Sequence, residues 1–363
     1  MSLATVQLWL ARAGDLPLDA VDWRNRPSVP HRPPRTADAM EALVLAVRRS
    51  LREESDLGEY GAETIRRELA ARDDLPGPLP AVRTIGRILA RHGALDARRR
   101  RHPTPPPGWY LPDVRDRLVE LDSFDVIEGM LLRGEVPLDV LTGISLHGGL
   151  RSAWPSSVLR SGHVVARLRA RWREVGRPGY AQFDNDARFI GGASVPDSIG
   201  FVIRFCLAAE VTPVFAPARE TGFQAAIESF NGLWQRKVWA RLANPSLEQL
   251  QEASARYIAA SRARHAIRIE AAPPRRPLPV TEQLNLRRPH GRIVFIRRAT
   301  DTGAAFILNR RHVIDPAWAH RLVRAELDID AGRIDVFGLR RAAPTEQPLL
   351  ATLAYDPPAR WFR

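Results

Sequence analysis

The chain has 363 residues, of which 45% are hydrophobic and 26% charged, with a net charge of +13. That length exceeds one small core, that composition excludes a disordered chain, and a single cysteine, Cys206, excludes an internal disulfide or a cysteine-rich zinc module. No apolar run approaches the roughly 18 residues of a membrane span and no signal-peptide layout opens the chain, so a cytoplasmic polyanion-binding protein, most simply one bound to nucleic acid, is expected.

Residues 1–35 hold one helix, "LATVQLWLARAG", and a linker; the helix resembles half of a helix-turn-helix with nothing in front of it. Residues 36–104 read as a helix-turn-helix DNA-binding domain, helical over 37–97. "YGAETIRRELAAR" and "LPAVRTIGRILARHG" are short amphipathic helices joined by a proline-containing turn. They fit a helix-turn-helix in which Arg83, Thr84, Arg87 and Arg91 face DNA, and equally a plain helical bundle with a solvated arginine face. Proline- and arginine-rich stretches at 26–36, 98–109 and 271–279 read as extended linkers able to lie along phosphates. A linker is expected at 105–116.

Residues 117–268 alternate strands and helices. "RLVELDSFDVIEGMLL", "VPLDVLTGISL" and "LRSAWPSS" read as strands, and "SSVLRSGHVVARLRARWREVG" as a helix. Next come strand "YAQFDND", helix "PDSIGFVIRFCLAAE", strand "VTPVFAP" and the long helix "GFQAAIESFNGLWQRKVWARL". This order predicts a mixed sheet with helices on its faces. A basic Pro/Arg linker follows at 269–288. Residues 289–345 switch to strands with arginines on one parity and predict a small DNA-binding β-barrel, leaving 346–363 as a tail. The expected fold class is thus multidomain: a helical N-terminal part, an α/β core and a small all-β C-terminal barrel.

Three acids qualify for chemistry. Asp122 interrupts the apolar strand "LVELDSF", Asp184 ends the strand in "QFDNDARF" (182–189), and Glu228 lies in "AAIESFNGLW". An acid inside an apolar strand is costly unless it meets a cation or solvent. Asp125 competes with Asp122, but the odd offset sets the two on opposite sheet faces, so only one can join a common site. Carboxylates from two strands and a helix make an oxygen-only site suited to Mg²⁺ or Mn²⁺. Taken singly, Asp122 reads as well as an arginine partner, Asp184 as a turn residue and Glu228 as half of a helix ion pair. Asn185 would hold the loop, and Asp186 would add metal affinity or only repulsion. Arg236, Lys237 and Arg241 follow Glu228 and would line phosphates or form a solvated face.

Together, "VELD", Asp184-Asn185-Asp186-Ala187-Arg188-Phe189 and "IESFN" resemble the three acid motifs of the DDE transposases and retroviral-type integrases. Most of the chain is similar to insertion-sequence transposases with helix-turn-helix N-termini and a Mu-type C-terminal β-domain. The resemblance implies an RNase H-like core and two Mg²⁺ or Mn²⁺ ions held by Asp122, Asp184 and Glu228. It also implies cleavage of donor DNA by water and strand transfer by the freed 3′-hydroxyl. Its implied partners are the element ends and target as double-stranded DNA, further copies of the chain on that DNA, and an ATPase helper; its implied location is the nucleoid. Departures exist: Asp186 stands where the family has glycine, Phe223-Gln224-Ala225 where it has glutamine–asparagine–glycine, and Ser229 where it often has arginine. The stretch from Asp184 to Glu228 is longer than usual, with "GGASVPDS" (191–198) as the insertion. The alternative they leave is a catalytically degenerate, domesticated transposase that acts as a DNA-binding protein.

Overall fold

The computed structural model describes residues 3–23, 36–57, 59–95, 105–191, 197–218, 220–280 and 284–356. The proline-rich stretches at 26–35 and 98–104, and residues 192–196 of the expected insertion, lie outside the described residues. The chain divides into two compact units, residues 1–51 with 60–95 and residues 52–59 with 96–363. Among the described residues no helix is long and apolar enough to cross a membrane.

The first unit is helical: α1 (Leu3–Ala13), α2 (Asp38–Glu53), α3 (Ala62–Ala70) and α4 (Val82–Arg91). Val44 and Val47, Ile65 and Leu69, and Ile85, Ile88 and Leu89 recur every three or four residues on α2, α3 and α4. Each helix therefore presents one apolar stripe, and the three stripes close a buried cluster. Glu41 of α2 is buried, which requires a cationic partner, and Arg91 provides it, with His92 Nε2 3.0 Å from the same carboxylate. The α3–α4 connection spans residues 71–81, against the roughly 3–4 residues of a helix-turn-helix turn.

The second unit opens with α5 (Pro112–Arg115) and the antiparallel strands β1 (Leu121–Leu132), β2 (Val136–Ser145) and β3 (Arg151–Ser156). Then α6 (Ser161–Val175) crosses to β4 (Tyr180–Phe183), parallel to β1. The helices α7 (Ala187–Ile190) and α8 (Phe201–Ala208) lead to β5 (Thr212–Phe215), parallel to β4. After α9 (Ala225–Lys237), α10 (Leu247–Arg264) and α11 (Ala266–Glu270) come β6 (Arg292–Arg298), the hairpin β7 (Ala304–Ile307) and β8 (Arg310–Val313), β9 (Leu322–Asp328), β10 (Arg333–Leu339) and β11 (Leu349–Ala354). One sheet runs β11-β10-β9-β6-β5-β4-β1-β2-β3. The expected mixed sheet is present. Trp172 of α6 and Phe205 of α8 pack on one face, while Phe230 and Trp234 of α9 and Tyr257 of α10 pack on the other.

Phenylalanines tie the centre of this sheet together. Phe124, Phe183, Phe215 and Phe295, from β1, β4, β5 and β6, form a row with successive ring centroids 5.6, 6.1 and 5.5 Å apart. Gly143 of β2 faces Phe124 because a Cβ there would lie 2.8 Å from the ring. At the open side of β3, α10 covers the strand edge. Gln251 donates to the Pro155 carbonyl (3.0 Å), Ser254 to that of Ala153 (3.3 Å) and Arg262 to that of Arg151 (3.2 Å).

The C-terminal region differs from a free-standing barrel. β6 pairs in parallel with β5 (Val214↔Val294, Phe215↔Phe295), and β9, β10 and β11 extend the same sheet. The expected linkers are also packed. Trp109, Tyr110, Leu111 and Val114, within 105–116, are buried in a cluster with β5, β6 and β10 residues. Arg276, within 269–288, exchanges backbone hydrogen bonds with Arg177 (2.7 and 3.1 Å). Part of the expected tail is strand β11, paired with β10.

Candidate active site

β1 and β4 share a register in which Leu121, Asp122 and Ser123 stand level with Tyr180, Ala181 and Gln182. Continued by two residues, it sets Asp125 level with Asp184, one step past the Phe124–Phe183 pair. Adjacent strand residues point to opposite faces. The rings therefore enter the face covered by α6 and α8, and the two acids face α9.

Asp122 lies on the other side, with the rings, and is fully buried. Its carboxylate accepts from Arg171 (Nε, 3.0 Å), Ser145 (Oγ, 2.7 Å) and Trp172 (Nε1, 3.2 Å), and from both terminal nitrogens of Arg275. Burial pushes its pKa up, but the Arg171 and Arg275 charges and their hydrogen bonds outweigh that and hold it well below the usual carboxylate range. The expectation that Asp122 is the first acid is corrected here. It stands on the wrong face of β1 and is already neutralised, joining β1, β2, α6 and the 271–279 segment.

Asp125 is half-buried and meets no guanidinium among the described residues. Val126 N–H reaches Oδ1 at 2.9 Å, and the Asn231 amide of α9 reaches Oδ2 at 2.7 Å. Thr142 of β2 completes the arrangement through the Asn231 oxygen (2.7 Å) and the Asp125 carbonyl (3.1 Å). Burial, with the negative charges of Asp184 and Glu228, pushes the Asp125 carboxyl up to about 6 against the hydrogen bonds from Val126 and Asn231.

Asp184 is half-buried at the exit of β4. Burial, then the neighbouring charges of Asp186 and Glu128, raise its carboxyl, while the Asp186 N–H (3.0 Å) and Arg188 oppose. Glu228, exposed in the first turn of α9, lines with Asp184, Asn185 and Gln224 a cleft of about 530 Å³. Gln182 of β4 fixes the approach to α9 by donating to the Phe223 carbonyl (2.8 Å).

Asn185 donates to the Ala216 carbonyl at 2.7 Å. Asp186 caps α7 through Arg188 N (2.7 Å) and pairs with the Arg188 guanidinium (2.7 Å), which lowers its pKa. Arg188 also pairs with Glu128 and Asp139 (3.4 Å). Among the described residues no group of three His, Cys, Asp or Glu side chains is placed so that it could hold a metal ion.

The expected DNA-facing residues divide. Arg83 and Arg87 are exposed on α4 and Thr84 is half-buried, but Arg91 belongs to the Glu41 pair. Arg236 is exposed and Lys237 half-buried at the end of α9. Arg241 instead donates to the Ser55 and Glu53 carbonyls (2.7 and 2.9 Å). The repeated Phe-Asp step, "SFDV" at 123–126 and "QFDN" at 182–185, is the sequence signal that marks Asp125 as the partner of Asp184.

No family model matches the chain, and no curated protein matches it. Among solved structures, the catalytic core of the HTLV-2 integrase in complex with magnesium (dimeric form) is similar at 13% identity, with a TM-score of 0.29, over 44% of this chain and 87% of that one. The BIV integrase catalytic core gives 10% identity and 0.29, over 39% and 81%. A simian T-cell lymphotropic virus intasome in complex with PP2A regulatory subunit B56 gamma gives 12% identity and 0.34, over 82% and 96%. At these scores the fold rests on the strand order and register above.

Proposed function

We propose that the second unit is a metal-dependent polynucleotidyl transferase that cuts DNA and joins the freed 3′ end to a target, with Asp125, Asp184 and Glu228 as its acids. The supporting observation is that Asp125 and Asp184 stand on the sheet face towards α9, whose first turn carries Glu228; both aspartates have raised pKa values, and none of the three is paired to a guanidinium among the described contacts. Such repulsion is relieved by a divalent cation. The donors are all oxygen and partly solvated, which fits Mg²⁺ or Mn²⁺. Magnesium is commonly held by one or two carboxylates with substrate phosphates completing its shell, so a site short of a full protein cage still fits.

When bound, divalent ions supply activation of the attacking oxygen and stabilisation of the leaving oxygen at phosphorus. The chain's own side chains orient the acids. Asn231 and Thr142 fix Asp125, Asn185 pins the loop after Asp184, and Gln182 anchors the approach to Glu228. In this reading the core is RNase H-like and the exposed Arg83 and Arg87 of the first unit contact DNA phosphates or base edges. Joining two DNA ends would bring further copies of the chain together on the DNA.

The test is incubation of the protein with labelled double-stranded DNA and a supercoiled target in Mg²⁺, Mn²⁺ or EDTA. Nicks bearing 3′-hydroxyls and joined products in either metal, absent in EDTA and lost in Glu228→Gln, are the expected result. The exposure of Glu228 and the open arrangement of the acids favour one second reading, the degenerate DNA-binding protein. DNA binding with no cleavage in any metal would establish it.

A further inference from the structure

Two arginines of the C-terminal region pair with a residue that lines the acid cleft. Glu220 lines the cleft with Asp184 and Glu228. It is paired twice, with Arg298 at the end of β6 and with Arg341 just beyond β10 (3.5 Å). Each guanidinium has a second anchor. Arg298 donates to the His320 carbonyl, and Arg341 donates to the Thr221 carbonyl (2.6 Å) while lying over the Phe223 ring, 5.3 Å from its centroid. Two guanidiniums sharing one carboxylate leave a positive excess. The arginine side chains are 49% and 38% exposed, whereas Glu220 is 17% exposed, so the cations and not the anion face solvent.

Guanidiniums held in fixed orientation bind phosphate oxygens with directed, charge-assisted hydrogen bonds. We infer that Arg298 and Arg341 form a clamp for the phosphates of a nucleic-acid strand crossing the acid cleft. Glu220 is the internal anion that keeps the clamp aimed and competes with those phosphates. The inference rests on the reading of the cleft as a phosphodiester site, and it gives the C-terminal strands a part in substrate binding there.

The experiment is anisotropy titration of a labelled DNA duplex across a salt series in EDTA, so that binding is read without cleavage. Each phosphate contact contributes a slope of about −0.9 to log Kobs against log[salt] on duplex DNA. Arg298→Ala and Arg341→Ala are each expected to flatten the slope by roughly one contact. Glu220→Gln retains both arginines and removes their competitor, so it is expected to bind roughly fivefold tighter, on the scale of one charge-assisted contact. Inorganic pyrophosphate serves as the competing arm: a backbone clamp releases DNA to it only at large excess. Unchanged slopes in the arginine variants, equal or weaker binding by Glu220→Gln, or release by equimolar pyrophosphate would each overturn the clamp. The Glu220→Gln arm stands even if an arginine variant fails to fold. Wild-type cleavage in Mn²⁺, measured in parallel, separates the two ideas. Flattened slopes without cleavage keep the clamp and remove the metal reading, and cleavage with unchanged slopes does the reverse.

Discussion

A carboxylate in a strand meets whatever stands on its own side of the sheet, and β1 carries one on each side. Asp122 meets Arg171 and Arg275 in a dry interior, where removing one partner leaves buried charges uncompensated. Asp122→Asn is therefore expected to destabilise the second unit by about 3–5 kcal/mol, read by chemical denaturation. Asp125 has the opposite balance, since its ionised form is opposed by burial and by Asp184 and Glu228. Asp125→Asn should stabilise the metal-free protein by on the order of 1 kcal/mol while abolishing metal-dependent chemistry. The pH signs differ accordingly. The lowered Asp122 pKa gives stability that is present above its ordinary value near 3.8 and lost as pH falls through the lower folded value. The raised Asp125 pKa makes the folded state bind an extra proton between 3.8 and about 6, so its contribution falls as pH rises across that window. Added Mg²⁺ or Mn²⁺ should raise the melting temperature above pH 6 and lose that effect near pH 4.5, where protons occupy Asp125. A metal effect that is independent of pH in this range would contradict the assignment.

Among the elements, α10 was not expected from the sequence. Its sequence is polar and arginine-rich over 247–264, so the apolar periodicity that marks α9 is weak. In the structure Ser246 and Gln249 form its capping box. The helix matters because β3 is a sheet edge, and three α10 side chains satisfy its outward carbonyls. Changing Gln251 and Ser254 together to alanine should cost about 1–3 kcal/mol by denaturation and open the edge to self-association, read by light scattering. The strands were legible for the converse reason. β1 to β5 are short apolar runs bounded by turn residues, and their order alone implied a mixed sheet. Which face Asp122 occupied was not legible from alternation, because alternation sets Asp122 against Asp125 without saying which side α9 covers. The Arg171 and Arg275 partners lie 49 and 153 residues away, beyond the reach of any local pattern.

For the second unit as a whole, the composition shift at residue 289 suggested a separable β-domain, yet β6 enters the sheet beside β5 and Phe295 extends the phenylalanine row. Proline- and arginine-rich stretches read as linkers because they lack periodicity, but burial of Trp109 and the Arg275–Asp122 pair shows that irregular chain can be structural. A chain ending at residue 288 would leave β5 as a bare edge and strip Ile293, Phe295, Val323 and Leu327 from the core. It is expected to lose cooperative thermal unfolding; a sharp transition like that of the full chain would show the C-terminal strands to be independent. The central claim joins this fold to chemistry at one strand position, and the rate of Mn²⁺-dependent nicking of supercoiled DNA by Asp125→Asn tests it most directly. The account predicts a folded variant, at least as stable as the wild type, whose nicking falls by 10²-fold or more, on the order of a lost catalytic group. A folded Asp125→Asn protein that nicks at the wild-type rate would contradict it.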